Sequence, residues 1–387
     1  MIIPYLRQDL EIFRGNSRED GSPAWLLYDA VRNKYFTVGL TAFRLIKNWR
    51  GGEDIQNFEK KINSQGIETT GDEIKSFVGF LQQNNLIIQP QGQGVPYLMQ
   101  QKNSLKKSWI MNLIHSYLFF KIPLFTPDEW LGRTSDKVKF LGSKKIRNII
   151  YILGFIGLFF VIQQFENFTK TFLYFFSLKG LMLYFITLVF VKCLHELGHA
   201  YIAKYHGCKV SAIGIAFLVF FPFLYTDTTD AWRLRNHKDR LLINFAGILT
   251  ELHLALIATF VWGILPEGGL KSAAFFIATT SWISSIAINV SPFMRFDGYY
   301  VFSDWLKAEN LQPRSFALAK WKTRETLFGF NHKPPEEISP SRRWTFIIYA
   351  WSTWVYRFFL FIGIALLVYY FAFKVLGIIL FAIEIYW

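Results

Sequence analysis

The chain has 387 residues, of which 52% are hydrophobic, and its formal net charge is +14. The apolar residues form long runs separated by basic connectors, which excludes a wholly soluble protein and indicates a polytopic membrane protein with a soluble portion. The basic excess lies beside the apolar runs, so we expect membrane lipids, and no nucleic acid, as partners. Residues 1–15 lack the apolar core of a cleavable signal peptide. Cys193 and Cys208 form no CxxC pattern and are expected to be small core residues.

Residues 1–90 have the composition of a soluble domain. Apolar residues on both sides of Arg32-Asn33-Lys34 predict a β-hairpin. Helical spacing of apolar residues predicts three helices, and a short strand follows them: Thr41–Trp49, Ile55–Ile62, Gly71–Asn84 and Leu86–Ile88. These elements are sufficient for a small winged-helix-like α+β domain, with a linker at residues 90–94.

The region before the first span is basic and aromatic. Its stretch Trp109–Phe120 is too short to cross a bilayer and is flanked by Lys106, Lys107 and Lys121. This pattern favours an interfacial helix that lies on the membrane. A helix packed on the protein's own core is the alternative.

The remaining apolar runs predict five or six membrane spans. They lie at about residues 147–165, 174–206, 240–264 and 273–291, with one or two more in 345–387. Residues 102–147 contain ten lysines and arginines, whereas residues 163–173 contain only Lys170. We therefore expect a cytoplasmic N-terminal domain. The predicted fold class is mainly α: a polytopic helical membrane protein with a small N-terminal cytoplasmic winged-helix-like α+β domain.

The most informative motif lies within the second predicted span. In His195-Glu196-Leu197-Gly198-His199, two histidines four residues apart project from one face of a helix and can bind one metal ion. Glu196 can reach a water on that metal, which is the arrangement used for zinc-dependent peptide hydrolysis. Burying these three side chains in a bilayer is costly, so a chemical role is favoured.

Two histidines do not complete a catalytic zinc site, because such a site takes three protein ligands. The best candidate for the third ligand is Asp297. Pro292 breaks the fourth predicted span shortly before it, which leaves a carboxylate on non-helical backbone at membrane depth. The alternative role of Asp297 is to cap the helix expected from Gly298 to Leu306.

Four other polar residues near the motif have two interpretations each. Glu251 and His253 either tune the zinc shell or line a polar path, or else they have partners within the helical bundle. Asp227 and Asp230 either approach the metal or provide capping for the turn before Ala231. We favour the structural interpretation for both pairs.

The HExGH motif and the later N-x-x-P-x-x-x-x-D-G segment together resemble the pattern of the site-2 protease family of intramembrane zinc metallopeptidases. The resemblance implies that His195, His199 and Asp297 bind Zn²⁺ and that Glu196 is the catalytic general base.

The same resemblance implies two further features. Asn289 would help to position the substrate, although Pro292 lies further from Asn289 than in many family members. Residues 214–225 would form the family's re-entrant β-like loop, whose edge is offered to an extended substrate.

More narrowly, the chain resembles the peptide-export branch of that family, on residues such as Tyr225–Trp232 and Ser303–Leu306. The N-terminal domain, with Trp25–Asp29 and Tyr35-Phe36, resembles PqqD-like peptide-recognition domains. Such a domain implies a leader peptide that binds as an added strand. The branch implies a membrane-fusion adaptor and an ABC exporter as partners, in the inner (cytoplasmic) membrane of a bacterium.

The function expected on these grounds is that of an intramembrane zinc metalloendopeptidase that cleaves a peptide or protein in maturation or export. The alternative is a non-proteolytic membrane component of a secretion system that works with a membrane-fusion adaptor. The expected organisation, in chain order, is a PqqD-like domain (1–90), a linker and interfacial helix (91–145), a site-2 protease-like core (146–310), a cytoplasmic loop (311–344) and C-terminal transmembrane sequence (345–387).

Overall fold

The structure is a computed structural model, and it describes residues 2–15, 22–66, 68–88, 119–173, 177–218, 221–234 and 236–371. The chain divides into two compact units, Met1–Ala278 and Thr279–Trp387. The predicted linker at residues 90–94 and the predicted interfacial helix up to residue 118 lie outside the described residues, as do residues 372–387.

The N-terminal part of the first unit is a small α+β domain. Strands β1 (Leu10–Arg14), β2 (Trp25–Asp29) and β3 (Lys34–Val38) form an antiparallel sheet in the order β1-β2-β3. Helices α1 (Leu40–Lys47), α2 (Ile55–Ser64) and α3 (Gly71–Gln83) follow. The predicted hairpin and the three helices are confirmed. The expected strand at Leu86–Ile88 is reduced to a single bridge between Ile87 and Leu6.

A buried carboxylate connects the sheet of this domain to the end of α3. Asp29 is fully buried and accepts hydrogen bonds from Arg7 and Arg32. The same arginines donate to the backbone carbonyls of Asn85 and Asn84. Burial by itself raises the pKa of Asp29, but the hydrogen bonds from Arg32 and Arg7 outweigh it and hold that pKa below its ordinary value.

A second three-stranded sheet belongs to the first unit. Strands β4 (Phe119–Phe125), β5 (Ile213–Leu218) and β6 (Phe221–Thr226) are antiparallel, in the order β4-β5-β6. The expected β-like segment at residues 214–225 is therefore present as the β5–β6 hairpin. The interfacial-helix prediction was wrong for its last two residues, Phe119 and Phe120, because they pair with β5.

Helices make up most of the remaining described chain. In chain order they are α4 (Asp128–Val138), α5 (Lys144–Gln163), α6 (Phe165–Leu173), α7 (Leu178–Tyr205), α8 (His237–Ile264), α9 (Gly269–Ile283), α10 (Asp297–Trp305), α11 (Leu311–Phe328) and α12 (Pro340–Phe371). A π-helical turn, Ser284–Asn289, extends α9.

Five described helices are long and apolar enough to cross a membrane: Lys144–Gln163, Leu178–Tyr205, His237–Ile264, Gly269–Asn289 and Pro340–Leu366. The fold class is therefore confirmed as mainly helical and polytopic, with a small N-terminal α+β domain. The protein is a multi-pass membrane protein.

Helix α8 packs against both α5 and α7, and small residues bring it close to each. A Cβ atom at Gly157 of α5 would lie 2.5 Å from the backbone nitrogen of Phe260. A Cβ atom at Gly198 of α7 would lie 2.2 Å from Thr250 Oγ1. Because membrane helices gain stability from such close packing, Gly157 allows the close approach of α8 to α5 and Gly198 that of α8 to α7.

The second unit has its own core, in which α11 packs against α12. Gln312 of α11 accepts a hydrogen bond from Arg295 Nε (2.9 Å) and donates one to the carbonyl of Phe293 (3.2 Å). Tyr349 of α12 donates to the carbonyl of Pro292 (2.9 Å). These bonds fix the non-helical segment that leads to α10. Residues 311–328 of the expected cytoplasmic loop are thus a packed helix.

Candidate metal centre

His195 and His199 are buried on one face of α7. Their Nε2 atoms lie 3.2 Å apart. Zinc–nitrogen bonds of about 2.0–2.1 Å at a tetrahedral angle separate two ligand nitrogens by about 3.3 Å. The two rings therefore already have the separation that one zinc ion requires.

The other nitrogen of each ring contacts an acceptor on α8. His199 Nδ1 lies 2.7 Å from the carbonyl oxygen of Ile243, and His195 Nδ1 lies 3.0 Å from Glu251 Oε1. A ring that donates through Nδ1 keeps its Nε2 lone pair for a metal. The contacts to α8 thus favour, in each ring, the tautomer whose Nε2 lone pair is available to a metal ion.

Glu251 is the charged one of the two α8 groups that contact the imidazoles. It is 0% exposed, and its Oε1 atom also accepts a hydrogen bond from Lys192 Nζ at 2.7 Å. Lys192 precedes His195 by one helical turn, so α7 supplies both the imidazole and the cation that contact this carboxylate. Glu251 thus has partners within the helical bundle, as favoured, and one of them, His195, is a candidate metal ligand. The role of Lys192 was not predicted, although it is the one charge in residues 181–194.

Gly247 of α8 faces the paired imidazoles directly. A Cβ atom at this position would lie 2.4 Å from the Nε2 atoms of both His195 and His199. Only glycine leaves the space in which an ion between the two rings would lie. The donor set, its orientation and this space together fit a zinc ion.

Glu196 lies between the two histidines in the motif and is partly buried. Its backbone carbonyl accepts a hydrogen bond from Thr226 Oγ1 at 3.0 Å. Thr226 is the last residue of β6, so this bond ties the carboxyl end of that strand to the motif.

Asp297 is the first residue of α10. The residue at the capping position is Phe296, and it makes no side-chain capping bond, so Asp297 is not the N-cap that the alternative interpretation required. One ligand atom from each of His195, His199 and Asp297 lies within 4.8 Å of the other two.

Asn289 is buried at the end of the π-helical turn. A Cβ atom at Gly298 would lie 2.5 Å from the carbonyl oxygen of Asn289 and 2.4 Å from that of Val290. Glycine after Asp297 therefore allows α10 to begin directly against the end of the π-helical turn. The substrate-positioning role of Asn289 stays a prediction.

The remaining acidic candidates, Asp227 and Asp230, accept hydrogen bonds from backbone nitrogens. Asp227 Oδ1 accepts a hydrogen bond from the backbone nitrogen of Thr229 (3.1 Å), and Asp230 Oδ2 accepts one from that of Lys209 (2.7 Å). Within the described ranges, neither is part of a group of three metal-binding side chains. Asp227 therefore caps the turn after β6, as favoured, whereas Asp230 connects that turn to the segment that follows α7.

Three other side chains complete the comparison with the sequence. His253 lies beside the ring of Tyr151 on α5, at 5.7 Å between ring centroids, and so faces away from the paired histidines. Cys208 is buried, as predicted, but the prediction of a core position for Cys193 was wrong, because its side chain is exposed on α7. Apolar composition alone does not show which face of a membrane helix contacts lipid.

The model of Peptidase family M50, the site-2 protease family, matches residues 183–292. The match contains the HExxH motif, the β5–β6 hairpin, α8 and Asn289, and it ends before Asp297. Comparisons with curated proteins and with solved structures found no match. The family match implies intramembrane metalloprotease activity, and M50 peptidases are zinc enzymes.

Proposed function

We propose that the protein is an intramembrane zinc metalloendopeptidase. The observation that carries this proposal is the pair of Nε2 atoms of His195 and His199, turned toward one ion position because α8 engages both Nδ1 atoms. Zinc bound there acts as a Lewis acid toward a peptide carbonyl and activates water.

Asp297 is the proposed third ligand. Its carboxylate supplies the oxygen donor that complements two imidazoles in catalytic zinc sites, and it is grouped with the two histidines. Its place at the start of α10 is supported by Gly298, where any side chain would collide with the preceding backbone.

Glu196 is the proposed general base. It accepts a proton from the attacking water and transfers that proton to the leaving nitrogen of the cleaved peptide. The motif helix and the bond from Thr226 to its carbonyl hold its backbone in place. Asn289 is proposed to position the substrate.

The substrate is proposed to bind as an extended strand along the outer edge of β6. In an antiparallel pair, alternate residues direct both backbone polar groups to the partner strand. Asp227 N donates to Ala212 O (2.8 Å), and Tyr225 pairs with Gly214, so the backbone groups of Leu224 and Thr226 face the outer edge. This edge ends beside Glu196.

The biological setting is proposed from the residue resemblances alone. The protein would act in peptide maturation or export in the inner membrane of a bacterium, with its N-terminal domain in the cytoplasm. That domain, which resembles PqqD-like domains, would bind a leader peptide, and a membrane-fusion adaptor and an ABC exporter would be partners.

The test is the Glu196→Gln variant of the purified protein, assayed for zinc content and for cleavage of a peptide library. We expect zinc to be retained and cleavage to fall by at least about 100-fold, because the side chain keeps its size but cannot take a proton. Glu166→Gln, on the exposed face of α6, is the matched control and should cleave like the parent. Equal rates for the parent and Glu196→Gln proteins would exclude the hydrolytic role and favour the non-proteolytic alternative.

A further inference from the structure

The turn between β2 and β3 of the N-terminal domain contacts the end of β6. Asn33 Nδ2 donates hydrogen bonds to Ser211 Oγ (3.1 Å) and to Asp227 Oδ2 (3.2 Å), and Asn33 Oδ1 accepts one from the Tyr28 hydroxyl (3.1 Å). The backbone of Asn33 is in the left-handed region, with a φ of 50°, which asparagine adopts more readily than most residues. The residue therefore suits both the turn and the contact.

A second contact is made by Tyr35, two residues after Asn33. The Tyr35 hydroxyl donates to Asp230 Oδ1 at 2.5 Å, and Asp230 is buried. Burial, and then the hydrogen bond to Asp230, raises the pKa of Tyr35, so this hydroxyl stays protonated as a donor at neutral pH. Arg233 lies over the ring of Phe13, at 5.8 Å to its centroid, and adds a third contact.

These contacts lead to the motif by a short path. Asn33 is bonded to Asp227, and Asp227 directly follows Thr226, whose hydroxyl donates to the carbonyl of Glu196. The path from the domain's turn to the motif helix therefore contains two side-chain hydrogen bonds and one peptide unit. Polar contacts of this kind hold two surfaces in one register, because a shift of either surface leaves donors and acceptors without partners.

We propose that the β2–β3 turn of the N-terminal domain is a positioning element for the peptide-binding edge of β6, acting through Asn33 on Asp227 and through Tyr35 on Asp230. This role rests on the proposed function, which assigns the outer edge of β6 to the binding of an extended peptide. The domain that would bind a peptide also determines the position of the strand along which that peptide is cleaved.

The contact predicts a reciprocal rescue. Asn33→Asp places a carboxylate against Asp227 and removes the donor, so the end of β6 should loosen. In the Asn33→Asp/Asp227→Asn protein, the new amide at position 227 donates to the new carboxylate at position 33, so the hydrogen bond is restored in the reverse direction. The amide oxygen at position 227 still accepts from the backbone nitrogen of Thr229. Hydrogen exchange of the amides of residues 221–227, measured on the full chain in lipid nanodiscs, reports this loosening without any substrate.

We expect exchange to become about tenfold faster in Asn33→Asp and in Tyr35→Phe, the factor expected for one lost hydrogen bond. The Asn33→Asp/Asp227→Asn protein should return to the parent rate. Tyr5→Phe, which removes an exposed hydroxyl of the same domain, is the control and should match the parent. Unchanged exchange in Asn33→Asp, or no recovery in the double variant, would overturn the proposal.

The KM and kcat for cleavage of a library peptide distinguish a positioning role of Asn33 from a general contribution to folding. The Asn33→Asp protein should keep its zinc and show a raised KM with kcat within about twofold of the parent, because weakened ground-state binding raises KM alone. A lowered kcat with unchanged KM would contradict the proposal. The exchange result stands whether or not the parent cleaves peptides, so failure of the proposed function and failure of this inference are distinguishable.

Discussion

At the residue scale, the support of the two histidines is unequal. His199 is oriented by a backbone carbonyl, which no substitution removes, whereas His195 is oriented by the side chain of Glu251. Glu251 is therefore the supporting group whose effect mutation can measure.

Glu251→Ala should lower zinc affinity by about 10–100-fold, because His195 loses the acceptor that fixes its tautomer. Glu251→Gln should lower it less, since the amide oxygen still accepts from Nδ1. Competition with a zinc chelator measures both. Glu267→Ala, which removes an exposed carboxylate near α9, is the control. Parent-like zinc affinity in Glu251→Ala would show that Glu251 does not support His195.

Gly247→Ala should abolish zinc binding by the folded protein, because the added methyl group would lie 2.4 Å from both Nε2 atoms. Gly363→Ala adds the same group to α12, where no atom of another described element lies within 4 Å, and should bind zinc normally. Zinc content after gel filtration is the measurement. A Gly247→Ala protein with a full complement of zinc would place the ion elsewhere.

The sequence predicted the two histidines from their spacing and Asp297 from the broken span. It did not predict that Lys192, Glu251 and His195 form one chain of contacts. That chain depends on the register between α7 and α8, which glycines at residues 198 and 247 permit but no local pattern specifies.

At the element scale, the spans and the helices of the N-terminal domain were predictable to within a few residues. Apolar length determines the spans, and caps such as Thr70 with Glu73 mark helix starts. The strands β1 and β4 were missed. Strand β4 pairs with a strand about 90 residues later and contains Pro123, so its partner is not visible in the nearby sequence.

The N-terminal domain should lose stability in acid through Asp29. The pKa of this carboxyl is held below its ordinary value of 3.8, so its contribution to stability is complete above that pH and is lost as the pH falls through the lowered pKa. Asp29→Asn should destabilise the domain at neutral pH by about 3 kcal/mol, because it breaks a buried ion pair. It should also flatten the acid dependence.

Hydrogen exchange of the amides in β2 and α3, followed from about pH 6 downward with correction for intrinsic rates, measures this effect. Asp72→Asn, at an exposed pair with Lys75, is the control. Equal acid dependence in the parent and Asp29→Asn proteins would contradict the assignment.

At the scale of the whole molecule, the distribution of lysine and arginine predicts the orientation. Residues 265–272 contain one basic residue, whereas residues 102–147 contain ten. A cysteine at Lys75 should therefore be protected from an impermeant maleimide in intact cells, and a cysteine at Glu267 should react.

Cys193→Ser provides the background for this experiment. Cys208 can remain, because burial raises its pKa to about 11 and makes the thiol unreactive. Labelling at residue 75 but not at residue 267 would reverse the proposed topology. Permeabilised cells, in which both positions should react, are the control.

The central claim is that one zinc ion is bound by two imidazoles and one carboxylate within the helical bundle. Zinc X-ray absorption on the purified protein tests it most directly. We predict one zinc per chain, with two imidazole nitrogens and oxygen ligands at about 2.0–2.2 Å, and weaker imidazole scattering in His199→Ala, which removes one of the two rings. Absence of zinc, or a shell with sulfur or without imidazole, would contradict the account.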